Sequence, residues 1–414
     1  MRPAKRIARW GCAGVALILT CCGCSGNSYT PQFQVSQITG SSPCPSGKPG
    51  PPRPGFSLSQ ISNSFSAMPA LERLASQGGG SIAVILPDAS SGRHFGEFDA
   101  PYLEESFRKA GLKKSQFTVQ NAPASTQFTD AKAAIRKGAS VLVLDARYSG
   151  LGVPIESYAK AHCVQVIDYD YLTLGGARSY YVGFDSLKIG VLMGQGLANC
   201  VSAWKVRHPH VIVMKGGSDD YNSAIYAQGY DAILARKFGS GWKEVGSPAG
   251  TWNAATALSE FQQAYAAHHD INAALIPNDD DGMPIIQYLQ ARGIKAWTFP
   301  TTGLDATVAG LQNVLAGYQC GTVYKPIFLE AQAAAALAMY VRAGVMPPSG
   351  LLNGSITDPQ TGATVASVLL DPEWVTAGTM KSTVIADGFV PASQLCAGQY
   401  AKACAKAGIP GGTG

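Results

Sequence analysis

The chain reads as an α/β protein built from two doubly wound parallel-sheet lobes. Short apolar runs rich in β-branched residues alternate with amphipathic helical patterns from Ile82 to Tyr324. The runs are apolar throughout and do not alternate with polar residues, as expected for parallel strands covered on both faces. About ten such units exceed one comfortable open sheet, so two lobes fit better than one.

The elements follow in order. Strands are expected at Ile82–Leu86, Phe117–Gln120, Val141–Leu144, Val164–Ile167 and Tyr180–Gly183, then at Val211–Met214, Ala273–Ile276, Ala296–Phe299 and Thr322–Tyr324. Helical spacing marks Thr129–Arg136, Ile189–Ala203, Ala224–Arg236, Ala254–Ala267 and Leu329–Val341. Tyr180–Gly183 follows its predecessor without a helix, a place for the chain to cross between lobes. The alanine-rich stretch Ala331–Tyr340 is a buried packing face, too short to span a membrane.

Ahead of this body lie an export segment and a spacer. Arg2, Lys5, Arg6 and Arg9 precede the short apolar run Gly11–Thr20, which has the layout of a secretory signal. Cys21, Cys22 and Cys24 close it. Gly23 supplies the small residue before a cut, making Cys24 the preferred lipid acceptor of a lipoprotein, with Cys22 the rival. Residues 1–23 are thus expected to be a lipoprotein signal peptide. Residues 24–79, rich in Ser, Pro and Gly, are expected to be a tether, with a short helix around Ala70–Ala75.

Composition bounds the function. The chain has 414 residues, 46% hydrophobic and 14% charged, ample for a large core. Its net charge of +5 shrinks to about +1 without the four basic residues of the leader, and no Lys/Arg block remains for nucleic acid. Besides Cys24, six cysteines lie outside the leader. None forms a C-x-x-C pair, so disulfides are expected in an exported protein. Cys396–Cys404 is the preferred pair and Cys163–Cys200 a weaker alternative.

In open α/β sheets ligands sit beyond the carboxyl ends of strands. Those ends read Pro87-Asp88, Asp145-Ala146-Arg147, Asp168-Tyr169-Asp170-Tyr171, Phe184-Asp185, Lys215-Gly216-Gly217, Pro277-Asn278-Asp279 and Thr302-Gly303-Leu304-Asp305. Carboxylates, amides and aromatics recur in both halves. Strand-end aspartates also cap helices. Their repetition suits a polyhydroxylated ligand, whose hydroxyls both donate and accept hydrogen bonds.

Four stretches carry a family resemblance: Gly138–Asp145, Gly183–Gly190, Thr322–Pro326 and Thr383–Phe389. In this order the chain resembles the xylose-binding branch of the type I periplasmic binding proteins, the sugar receptors of ABC importers. The resemblance implies two lobes joined by a three-segment hinge and closing on one sugar. Lobe one would be 80–185 plus 326–350, and lobe two 186–325 plus 351–395. The hinges would lie near Asp185, Lys325 and Gly350, with 396–414 a C-terminal tail.

It also implies a ligand set. Arg93 matches a hydroxyl donor after the first strand, and His94 with Phe95 stands where the family has a stacking Trp or Tyr. Asp170 matches the carboxylate of an Asp-Arg pair whose arginine is Tyr171 here, exchanging a fork of donors for one hydroxyl and a ring. Asn222 matches an amide at a helix start and Trp252 a tryptophan stacked on the sugar. Asn278 and Asp305 match acceptors, and Lys325 matches the hinge lysine. The implied protein is a lipid-anchored, extracytoplasmic, monomeric receptor that binds a monosaccharide such as a pentose and serves a membrane permease. It needs no cofactor, metal or catalysis. A sensory module, a receptor for another solute and an Asp-rich glycosidase are the alternatives.

Other motifs are weak. Asn278–Gly282 fails EF-hand spacing, because Pro277 takes the first ligand position and Tyr288 the twelfth. His208/His210 and His268/His269 lack partners at metal spacing. There is no G-x-S-x-G, Walker or G-x-G-x-x-G motif.

Overall fold

Apolar strands need cover on both faces, and the chain supplies it with helices. The computed structural model describes residues 55–88, 92–238, 243–244 and 250–410. The leader, Cys24 and the first part of the tether lie outside the described residues.

The first sheet has seven strands: β1 (Ser81–Pro87), β2 (Phe117–Ala122), β3 (Ala139–Leu144), β4 (Gln165–Tyr169), β5 (Tyr180–Phe184), β10 (Gly354–Thr357) and β11 (Thr364–Leu370). Their order is β10-β11-β5-β4-β3-β1-β2. All pairs are parallel except β10–β11. The helix Ile327–Arg342 lies against this sheet with nearly every residue buried.

The second lobe is assembled in pieces. β6 (His210–Val213) sits between β7 (Lys243–Glu244) and β8 (Ala273–Leu275), all parallel. β9 (Thr322–Tyr324) pairs antiparallel with β12 (Glu373–Val375). Single bridges, Ala274 to Thr301 and Leu304 to Val323, stitch the two pieces together. The strand expected at Ala296–Phe299 is therefore displaced to Thr301–Leu304. Trp297, in the middle of the expected run, is exposed and takes a left-handed backbone (φ 65°), which a strand cannot use. The helices Ser186–Ala203 and Tyr221–Phe238 cover this lobe in very close contact. A Cβ on Gly190 would fall 2.0 Å from the Tyr226 carbonyl oxygen, so only glycine allows the approach that sets Tyr226 in place.

The pairings correct three boundaries. Residues 354–370 join the first sheet through β11 and β5, so the expected block 351–395 is divided. The chain passes between sheets after Phe184, around Lys325 and between Leu370 and Glu373, which places the third crossing at Asp371 and not at Gly350. The tether ends by residue 55. Phe56, Phe65, Met68 and Leu71 are buried in the main core, because a segment with that many large apolar residues gains more by burial than it loses in chain entropy. The short helix Glu72–Ala75 lies within the expected span.

The described part of the C-terminal tail, up to residue 410, is docked. Leu395, Cys396, Cys404 and Ile409 are buried with Leu311 and Val314 of the helix Val308–Ala316. Cys396 and Cys404 form the expected disulfide. Cys200 pairs with Cys320, not Cys163, tying the helix Ser186–Ala203 to the turn before β9. Cys163 is disulfide-bonded as well. No described helix is long and apolar enough to cross a membrane.

Candidate functional site

Strand ends of both sheets converge on one buried lysine. Lys325 follows β9 at the second crossing, and its side chain is 6% exposed. Its ammonium lies 3.6 Å from Asp170 Oδ1 and 3.5 Å from Asp305 Oδ1. Asp170 follows β4 of the first sheet, whereas Asp305 follows Leu304 in the second. Both take left-handed backbone, φ 56° and 87°, a conformation costly for most side chains and least so for Asp and Asn. Burial works against the Lys325 charge, but the two carboxylates outweigh it and hold its pKa well above the ordinary lysine value.

Neighbouring acids do not compete for that charge. Burial, reinforced by Asp170, pushes Asp145 and Glu330 well above the usual carboxylate range. Burial thus disfavours their charged forms, and the carboxylates that face the ammonium within 4 Å are Asp170 and Asp305.

Around this centre sit His94, Tyr171, Tyr226, Trp252, Asn278, Asp280 and Leu304. The free space among them is about 30 Å³, room for a water or two, so a larger ligand needs the lobes to part. Trp252 rests on the Gly216-Gly217 turn after β6. A Cβ on Gly216 would fall 2.2 Å from the indole Cζ2. The indole Nε1–H donates to Asp220 Oδ2 at 3.1 Å, which fixes the ring's orientation. Burial pushes the Asp220 carboxyl up to about 7. Asn278 caps the helix Asp279–Ala291, its Oδ1 accepting from the Asp281 N–H at 2.8 Å, so its amide nitrogen is the part left for a ligand.

His94 shares Asp99 with Tyr169: Nδ1 lies 2.8 Å from Asp99 Oδ2, and the Tyr169 hydroxyl donates to Oδ1 at 2.5 Å. Burial opposes the His94 proton, but Asp99 raises its pKa above the ordinary value. Behind the site, Asp279 braces the loop that carries Asp305. It accepts from Thr307 N–H and Gln319 Nε2, each at 2.8 Å.

Carboxylate acceptors, ammonium, phenol and amide donors, and an oriented indole face thus converge between two lobes. A periplasmic binding protein domain matches residues 82–344. The chain belongs to the periplasmic binding protein family. It is 30% identical over 294 residues to the D-xylose-binding periplasmic protein of Escherichia coli K12, covering 70% of this chain and 86% of that one. It is 27% identical over 331 residues to a multiple sugar-binding periplasmic protein of Azospirillum brasilense, covering 76% and 90%. Among solved structures, the carbohydrate transporter solute-binding protein of Chloroflexus aurantiacus, determined with D-glucose, superposes with a TM-score of 0.67 at 21% identity. That match covers 76% of this chain and 97% of the other. The fold is the type I periplasmic binding protein fold.

Within that fold the expected ligand residues divide. His94, Asp170, Tyr171, Trp252, Asn278, Asp305 and Lys325 line the space. Arg93 lies at its rim, reaching across the lobes to Asp280 at 2.8 Å. Phe95 is buried behind His94, with ring centroids 4.0 Å apart, and does not line the space. Asn222 does not line it either. Its Nδ2 donates to the Asp170 carbonyl at 2.8 Å, tying a second-lobe helix to a first-lobe strand end. Sequence reasoning missed Asp220, Tyr226 and Asp280. Asp220 and Asp280 adjoin residues singled out as Asn222 and Asn278, so their position at helix starts was the available signal.

Proposed function

We propose that this binding protein is the extracytoplasmic receptor of an ABC sugar importer, lipid-anchored through Cys24, that closes on one monosaccharide of the pentose or related aldose class. The observation carrying this reading is the Asp170–Lys325–Asp305 bridge beside Trp252. Two lobes share one charge centre next to an oriented indole, so a ring with several hydroxyls would bond to both lobes at once. The charges nearly cancel among Asp170, Asp305, Lys325, Arg93 and Asp280, which favours a neutral ligand. A hydroxyl missing from the ligand leaves a buried partner unpaired, worth about 1–3 kcal/mol each. Closure follows because the ligand contacts both lobes only when they meet, so it binds that state better. Tyr171 favours a wider set than xylose, since a single hydroxyl and a ring face constrain hydroxyl geometry less than a guanidinium fork.

Calorimetric titration with D-xylose, L-arabinose, D-glucose and D-galactose tests the reading. At least one sugar is expected to bind at micromolar Kd or tighter, weakening 100-fold or more in Trp252→Ala. Silence from all four would refute the monosaccharide assignment. Mass spectrometry of the mature N-terminus tests the lipid on Cys24.

A further inference from the structure

The small space around Lys325 opens onto a much larger one. A cavity of about 610 Å³, lined also by Arg93, adjoins it and shares His94, Asp280 and Asp305 as walls. That volume is in the range of whole ligand sites, far more than an access route for a water needs. The Arg93–Asp280 ion pair stands at the partition. Its side chains are 52% and 34% exposed, so the bridge is weak and ligand hydroxyls could replace it at little cost.

The annex is built like a sugar subsite. Phe98 and Phe389 stack with ring centroids 4.2 Å apart, and Tyr102 packs 6.1 Å from Phe98, giving an aromatic floor. Gln312 and Gln394 add neutral amide groups. Gln312 is held in place, its Nε2 donating to the Gln394 and Leu395 carbonyls at 3.3 Å. That leaves its Oε1 to accept from a ligand. Neutral amides beside aromatic faces fit a second sugar ring; an anionic group would meet Glu97 and Asp280. Part of the wall, from Gly388 to Gln394, comes from the C-terminal segment that the Cys396–Cys404 disulfide closes off.

We propose that the preferred ligand is a disaccharide, with one ring at Trp252, Asp170 and Asp305 and the second in the annex. This rests on the sugar-receptor reading and extends its ligand from one ring to two linked rings. Asp305, a wall of both spaces, would meet the ligand near the glycosidic linkage.

The test is titration of the full chain with D-xylose, D-glucose, xylobiose, cellobiose and maltose. One disaccharide is expected to bind at least tenfold more tightly than its constituent monosaccharide. Gln312→Ala and Phe98→Leu should each remove most of that advantage while leaving monosaccharide Kd within about twofold. Two variants guard against a folding defect in either. If a monosaccharide binds as tightly as every disaccharide, the annex proposal falls and the sugar reading stands. If the advantage survives in both variants, the annex proposal also falls. If nothing binds, both readings fall.

Discussion

The two lobes use the same alternation of strand and helix but are held together differently. The first sheet is a ladder of seven strands, six of them in an unbroken parallel series from β2 to β11. The second relies on short strands joined by single bridges at Ala274–Thr301 and Leu304–Val323. What the second lobe lacks in backbone pairing it gains from side chains and cross-links: the Cys200–Cys320 disulfide, the Cys396–Cys404 clasp and the Asp279 brace. Ligand-facing loops follow the same division. Asp170 leaves the end of a ladder strand, while Asp305 sits on a loop that Asp279 holds from behind.

The largest break in this comparison comes where the lobes meet. Lys325→Met leaves Asp170 and Asp305 buried without their ammonium. Removing one partner of a buried ion pair costs about 3–5 kcal/mol. Urea denaturation should show a loss of that order; a change below about 1 kcal/mol would contradict the shared-charge assignment.

Next comes the paired substitution Cys200→Ser and Cys320→Ser. The bond spans 120 residues of sequence, and losing a native disulfide costs about 2–5 kcal/mol. Hydrogen exchange should accelerate in β6, β8 and β9 while β1, β3 and β4 keep their protection. Equal acceleration in both sheets would erase the distinction drawn between them.

Asp281 gives the smallest effect. Its carboxylate is buried at the start of a second-lobe helix, and burial pushes it up to about 7 from an ordinary 3.8. The folded state therefore holds this proton more tightly than the unfolded chain does. Its contribution is complete below about pH 4 and is lost as pH rises through about 7. Between pH 5 and 8 the melting temperature of Asp281→Asn should fall a few degrees less than that of the wild type. Parallel curves would rule out this titration.

Legibility in the sequence followed the same division. Continuous apolar runs such as Val141–Leu144 announce ladder strands, and the helix Ala254–Ala267 has the boundaries its periodicity indicates. β10 alternates half-buried and exposed residues, and β11 pairs with β5 some 180 positions earlier, so neither membership nor partner shows in local pattern. The Cys200–Cys320 connectivity is nonlocal in the same way. At the site, residues whose side chains face the space were legible as strand-end polar groups. Asn222 and Phe95 were legible as near the site, but not their direction: whether a side chain faces a ligand or a neighbouring backbone is settled by tertiary packing.

The seat of Trp252 has an optical consequence. Among the described tryptophans it is the one lining this space, with its indole nitrogen on a carboxyl that titrates near neutrality. Changes in what covers that ring, or in the charge beneath it, alter the polarity its excited state experiences. Its emission therefore serves as an intrinsic gauge of cleft occupancy, readable without label or partner and calibrated against the Trp252→Phe spectrum.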